Sequence, residues 1–122
     1  ETEAKLDEDR PLVSSVIKNR LELGMPLQID STVIYSLGER KGQVLLKDLQ
    51  VDSPYNTYKY TTLPPSPISS FGRSSLLSVY ENLNTNFIYY LLTDKSGDMT
   101  FTKSYEEFLQ LKNKAKEDGI IP

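Results

Sequence analysis

At 122 residues the chain is long enough for one domain with a buried core, and its net charge of −3 argues against a general affinity for nucleic acid or anionic membranes. It has neither cysteine nor histidine, which excludes disulfides, thiolate or imidazole metal sites, and catalysis through Ser-His or Cys-His pairs. Chemistry is left to carboxylates, lysine, tyrosine and hydroxyls, and the eight tyrosines suit surfaces that are apolar and hydrogen-bonding at once.

Residues 1–9 are charged and compatible with the tail of a helix. No methionine and no apolar signal segment precedes them, so the opening reads as the middle of a longer protein. Asp9-Arg10-Pro11 predicts a fresh helix start, with Asp9 as N-cap and proline in the first turn, where its missing N–H costs nothing. Val13, Val16, Ile17 and Leu21 recur at helical spacing, and Gly24 supplies the stop. Asp30 or Ser31 is set to cap a short helix over 32–37, ended by Gly38. Residues 39–42 read as a charged turn. Val44, Leu45, Leu46 and Leu49 form a short buried run broken by Asp52-Ser53-Pro54, and residues 58–61 alternate like a short strand.

The proline- and serine-rich stretch 63–71 is expected to be an ordered loop inside the domain. Residues 74–83 predict a helix whose apolar side is Leu76, Leu77, Val79, Tyr80 and Leu83. Residues 87–93 are nearly all β-branched, aromatic or leucine, which predicts a central strand covered on both faces. Residues 94–98 form a hairpin turn and 99–102 the return strand. Ser104-Tyr105-Glu106-Glu107 has the spacing of a capping box and opens a last helix carrying Phe108, Leu111 and Ala115, stopped by Gly119. The expected fold is α+β: a small, largely antiparallel sheet packed against several helices in a single domain over residues 1–122.

Three polar, turn-rich segments lie between these elements: Leu27-Gln28-Ile29-Asp30-Ser31-Thr32-Val33-Ile34-Tyr35, Ser53-Pro54-Tyr55-Asn56-Thr57-Tyr58 and Leu63-Pro64-Pro65-Ser66-Pro67-Ile68. Asn offers two donors and an acceptor, and Tyr combines a ring with a hydroxyl. These residue types suit an acetamido-sugar groove and equally suit an Asx-type turn with packed tyrosines. Asp30 reads as a helix cap or as a ligand for sugar hydroxyls, and Gln28 as a loop tie or a glycan contact.

On these three runs the chain resembles the endolytic murein transglycosylases (the MltG or YceG-like family), where they read roughly LQ-x-DPTVIYG-x-G, SPYNTY and GLPPGPI. The resemblance extends from Glu1 to the final helix and places the chain in the C-terminal part of that family's catalytic domain. Ser31 replaces the family's proline, Thr62 and Ser66 its glycines, and Met99 the histidine of an H-T-F segment. The loss of those glycines bears on loop conformation, since glycine alone enters positive φ without strain.

The resemblance implies a peptidoglycan lytic transglycosylase. Such an enzyme cleaves the bond between N-acetylmuramic acid and N-acetylglucosamine without water, leaving 1,6-anhydro ends. One glutamic acid serves as acid and then base, so the site needs one carboxyl where most glycosidases need two. Counting back without gaps from Asn19-Arg20-Leu21 puts Glu3 on the catalytic position and Glu1 on a second acidic one. Gln28, Asp30, Tyr55, Asn56 and Thr57 would line the glycan groove. No metal or organic cofactor is implied. The expected partners are peptidoglycan glycan strands and cell-wall synthases, with no nucleic acid. The expected location is the bacterial cell envelope at the outer face of the cytoplasmic membrane, with the family's membrane anchor and N-terminal module lying outside these residues. Two other readings stay open: a non-catalytic glycan-binding or scaffolding module of the cell-wall synthesis machinery, and a true hydrolase using Glu3 with Asp30.

Overall fold

The computed structural model describes residues 1–39 and 42–122, so the charged turn expected over 39–42 lies largely outside the described residues. Among the described residues the helices are α1 (Arg10–Leu23), α2 (Asp30–Leu37), α3 (Arg73–Glu81) and α4 (Tyr105–Glu117). Two strands, β1 (Tyr89–Leu92) and β2 (Met99–Thr102), and two 3-10 turns, Asp7–Asp9 and Leu46–Gln50, complete the α+β fold. The backbone groups into two compact units, one of Glu1–Asn19 with Phe71–Pro122 and the other of Arg20–Ser70.

In the first unit, the α1 stripe is core as its spacing requires, with Val13 and Val16 buried and Ile17 half-buried. Asp9 does not cap the helix: it closes the preceding 3-10 turn, and its buried Oδ2 has no hydrogen-bond partner among the described residues. Asn19 fixes the chain that leads into β1, its Nδ2 donating to the carbonyls of Thr85 and Phe87, each at 2.8 Å. β1 and β2 pair antiparallel, Tyr89 opposite Thr102 and Leu92 opposite Met99. The strand is shorter than expected and has one neighbour, so its residues are half-buried instead of covered on both faces. The hairpin between them is an Asx turn, with Asp94 Oδ1 accepting the Ser96 N–H at 2.8 Å and Gly97 at φ 108° completing it. This bond, together with the Ser96 side chain, holds the Asp94 carboxyl below its usual range.

α4 packs on the sheet through Phe108, whose ring stacks on Tyr89 at 5.1 Å. Its start is a modified capping box. Ser104 Oγ accepts the Glu107 N–H at 3.2 Å, while the return arm is relayed: the Ser104 N–H donates to Thr102 Oγ1, which donates to the Glu107 carboxylate, both at 3.0 Å. α3 departs most from expectation. The residue it buries is Ser78, while Leu76, Leu77, Val79 and Tyr80 are exposed, Tyr80 by 86%.

In the second unit, α1 ends in a Schellman motif: Gly24 is left-handed at φ 69°, its N–H donates to Leu21 O, and the Met25 N–H donates to Arg20 O. Arg20 is buried, and its Nη1 donates to the carbonyls of Pro26 (3.1 Å) and Leu27 (3.0 Å), fixing the chain beyond the turn. α2 is capped by neither Asp30 nor Ser31. Ile29 holds the N-cap position without a side-chain bond, and Asp30 lies in the first turn, where a negative charge complements the helix dipole. Gly38 ends the helix at φ 71°. The run 44–49 is not buried as expected. Its residues coil into a 3-10 turn that buries Asp48, whose Oδ2 accepts the Leu45 N–H at 2.9 Å, and Leu46 is 84% exposed. Residues 58–61 form no strand, because the N–H groups of Lys59 and Tyr60 both turn back to Asn56 O. The stretch 63–71 carries no helix or strand, and the division between the units falls near its end.

Candidate functional site

The two N-terminal glutamates have different surroundings. Glu1 Oε2 accepts three hydrogen bonds: from Ser75 Oγ at 2.5 Å, from the Gly72 N–H at 2.9 Å and from Arg10 Nη1 at 3.1 Å. Arg10 Nη1 also donates to Ser75 Oγ at 2.6 Å, which closes the cluster. The Ser75 hydroxyl and then the Gly72 N–H stabilise the carboxylate, with the Arg10 charge adding to them, and its pKa falls to about 2. Glu1 is therefore an anion throughout the neutral range and a structural tie between the N-terminal stretch and α3. Glu3 is half-buried beside the buried Ala4, on a stretch that is irregular rather than helical.

The other predicted residues lie together in the second unit. Gln28 is exposed and takes a left-handed backbone (φ 55°), a conformation that costs a non-glycine residue about 1–2 kcal/mol. Its N–H donates to Thr57 O at 3.1 Å, and the next N–H, of Ile29, donates to Thr57 Oγ1 at 2.9 Å. Asp30 is exposed and accepts a hydrogen bond from the Tyr58 hydroxyl. Tyr55 is half-buried; its ring lies against Tyr35 at 4.8 Å, and its hydroxyl pairs with Ser66 Oγ at 2.6 Å. Gln28 and Tyr55 in loops and Asp30 and the exposed Tyr35 on α2 thus supply amide, carboxylate and aromatic groups within the second unit.

Asn56 and Thr57 differ from the expectation that they line a groove. Asn56 is 0% exposed and Thr57 1%. Asn56 Nδ2 donates to Leu49 O (2.9 Å) and Val51 O (2.8 Å), while its Oδ1 accepts the Tyr58 N–H (3.0 Å). These bonds occupy both hydrogens of the amide and its oxygen, as burial demands. Asn56 therefore shapes the loop from inside. Sequence reasoning passed over Tyr35 and Tyr58 individually; each stands in a quoted run, and the signal that singles them out is a contact across the fold. Among the described residues no group of three or more acidic side chains is placed to hold a metal ion, and no helix is long and apolar enough to cross a membrane.

Comparison with known proteins agrees with the quoted runs. The YceG-like family model matches residues 1–114. An endolytic murein transglycosylase of Bacillus subtilis (strain 168) is 46% identical over 120 residues, covering 98% of this chain and 32% of the relative. One from Streptococcus pneumoniae serotype 2 is 30% identical over 112 residues, covering 88% of this chain and 20% of the relative. The 2.6 Å crystal structure of a yceG-like protein from Listeria monocytogenes superposes with a TM-score of 0.86 at 46% identity, over 91% of this chain and 36% of that one. The chain thus spans about a third of the B. subtilis relative and a fifth of the S. pneumoniae one. With a family match that runs through nearly all of its residues and a shared fold, the chain belongs to the YceG-like family.

Proposed function

We propose that this chain is catalytic machinery of an endolytic peptidoglycan lytic transglycosylase acting in the bacterial cell envelope, outside the cytoplasmic membrane and alongside cell-wall synthases. The observation that carries the reading is 46% identity over 98% of the chain to an endolytic murein transglycosylase. Glu3 is the acid and base. Its carboxyl protonates the glycosidic oxygen between N-acetylmuramic acid and N-acetylglucosamine as the bond from that oxygen to the muramyl anomeric carbon breaks. The resulting carboxylate takes the proton of the muramyl 6-hydroxyl, whose oxygen bonds to the anomeric carbon. The ring closes as a 1,6-anhydro sugar, Glu3 is protonated again, and no water is consumed. The ionised state of Glu1 supports this choice, because a carboxyl with a pKa near 2 delivers no proton at neutral pH. Gln28, Asp30 and Tyr55 contact sugars of the glycan strand.

The test is mass spectrometry of muropeptides after digestion of purified glycan strands by the protein and by its Glu3→Gln variant. The expected products end in 1,6-anhydro-muramic acid and fall by at least about a hundredfold in the variant, the scale of general acid–base catalysis. Reducing ends would overturn the transglycosylase in favour of a hydrolase. Strand binding without products would identify a scaffolding module instead.

A further inference from the structure

Beneath the exposed Gln28 and Asp30 lies a buried pair of hydroxyls whose hydrogen bonds form a closed circuit on the residue between them. The Ile29 N–H donates to Thr57 Oγ1 at 2.9 Å, Thr57 Oγ1 and Thr32 Oγ1 lie 2.8 Å apart, and Thr32 Oγ1 donates to the Ile29 carbonyl at 2.6 Å. One assignment of hydrogens satisfies all three contacts. The Thr57 hydroxyl accepts from the Ile29 amide and donates to Thr32, and the Thr32 hydroxyl donates to the Ile29 carbonyl. Thr32 is 2% exposed and Thr57 1%, so water does not compete for these groups. The Gln28 N–H donates to Thr57 O, so a single residue receives two consecutive amides and holds Gln28 in its left-handed conformation. Tyr58, the next residue, donates to the Asp30 carboxylate.

We propose that Thr57 and Thr32, with Tyr58, are positioning residues for glycan recognition: they set the directions in which Gln28 and Asp30 project, and the two threonines do not touch the sugar. The proposal rests on the reading of Gln28 and Asp30 as sugar contacts. It replaces a contact role for Thr57 with one exercised through the backbone of residues 28–30. A threonine hydroxyl suits the task because it accepts from an amide and donates onward from one atom. Valine has the same shape and does neither.

The test measures glycan-strand affinity by calorimetry in the Glu3→Gln background, so that strands are not consumed, with amide hydrogen exchange at Ile29 read alongside. Thr57→Val is expected to weaken binding on the order of five- to tenfold, the effect of one or two lost hydrogen bonds, and to speed Ile29 exchange. Thr57→Ser, which keeps the hydroxyl, is expected to restore both, a rescue that tracks the hydroxyl and not the packing. Tyr58→Phe leaves the threonine pair intact and is expected to weaken binding with no change in Ile29 exchange, which keeps the test decisive if Thr57→Val fails to fold. Unchanged affinity in a folded Thr57→Val protein, or in Tyr58→Phe, would overturn the proposal, as would a parent that binds no strand. Absence of cleavage products from the unmutated protein would instead sink the transglycosylase reading and leave the affinity series to decide this one.

Discussion

Ser75 on α3 donates its hydroxyl to the carboxylate of Glu1 at 2.5 Å, joining residues 74 positions apart in sequence. The bond has a pH signature. Glu1 titrates near 2 in the folded chain against an ordinary 4.5, so the stability it contributes is present above about 4.5 and is lost as pH falls towards 2. Thermal unfolding of the protein and its Glu1→Gln variant should show a gap at pH 7 that closes between pH 4.5 and 2. A gap that persists unchanged to pH 2 would mean that shape, and not charge, makes the tie.

Asn56 should be a stability residue first. Asn56→Ala leaves the Leu49 and Val51 carbonyls and the Tyr58 N–H without their partner. The expected cost is roughly 2–4 kcal/mol, read from urea denaturation. A loss under about 0.5 kcal/mol would show that water replaces the amide and that the loop does not depend on it.

Ser104→Ala removes the acceptor of the Glu107 N–H at the start of α4 and should cost about 1 kcal/mol, with Ser104→Gly costing a few tenths. The same denaturation experiment checks both. A larger loss for Ser104→Gly than for Ser104→Ala would point away from capping and towards helix propensity.

Gly97 has φ 108°, and a Cβ there would lie 2.7 Å from Lys5 Cδ and 3.2 Å from Lys5 Cβ. Gly97→Ala therefore strains the turn and displaces Lys5, with an expected loss of about 1–2 kcal/mol. Because the Lys5 stem is part of the stretch carrying Glu3, strand cleavage at a temperature where the variant stays folded should also drop. Full activity with reduced stability would separate the hairpin from the site.

The legible parts of the fold were those written locally. Gly24 and Gly38 stop helices because their conformation is a property of one residue, and the Asp94–Asp98 turn and the Ser104 cap need only a few neighbours. Burial was less legible. The apolar residues of 74–83 do form a helix, but periodicity reports which side chains share a face and not whether anything covers that face; here Leu76, Val79 and Tyr80 stay exposed. In the same way Leu45 and Leu46 point outward because Asp48 takes the interior. The site divides along the same line. Its motifs marked Gln28, Asp30 and Tyr55, which are exposed or half-buried, but they also marked Asn56 and Thr57, which are turned inward, the Asn56 amide by carbonyls seven and five residues back and the Thr57 hydroxyl by Ile29, 28 residues away. A polar side chain reads the same whether it serves a ligand or its own backbone.

Glu1 is tied by its carboxylate to Gly72 and Ser75, and the stem of Lys5 rests on Gly97. Between these two moorings lie Thr2, Glu3 and the buried Ala4, so the distance from Glu1 to Lys5 is roughly 13–14 Å at full stretch. Glu3 therefore sits midway along a short segment held at both ends. On the proposed role of Glu3 as proton carrier, the acid is a post anchored on both sides, and the glycan strand has to be brought to it in the right alignment.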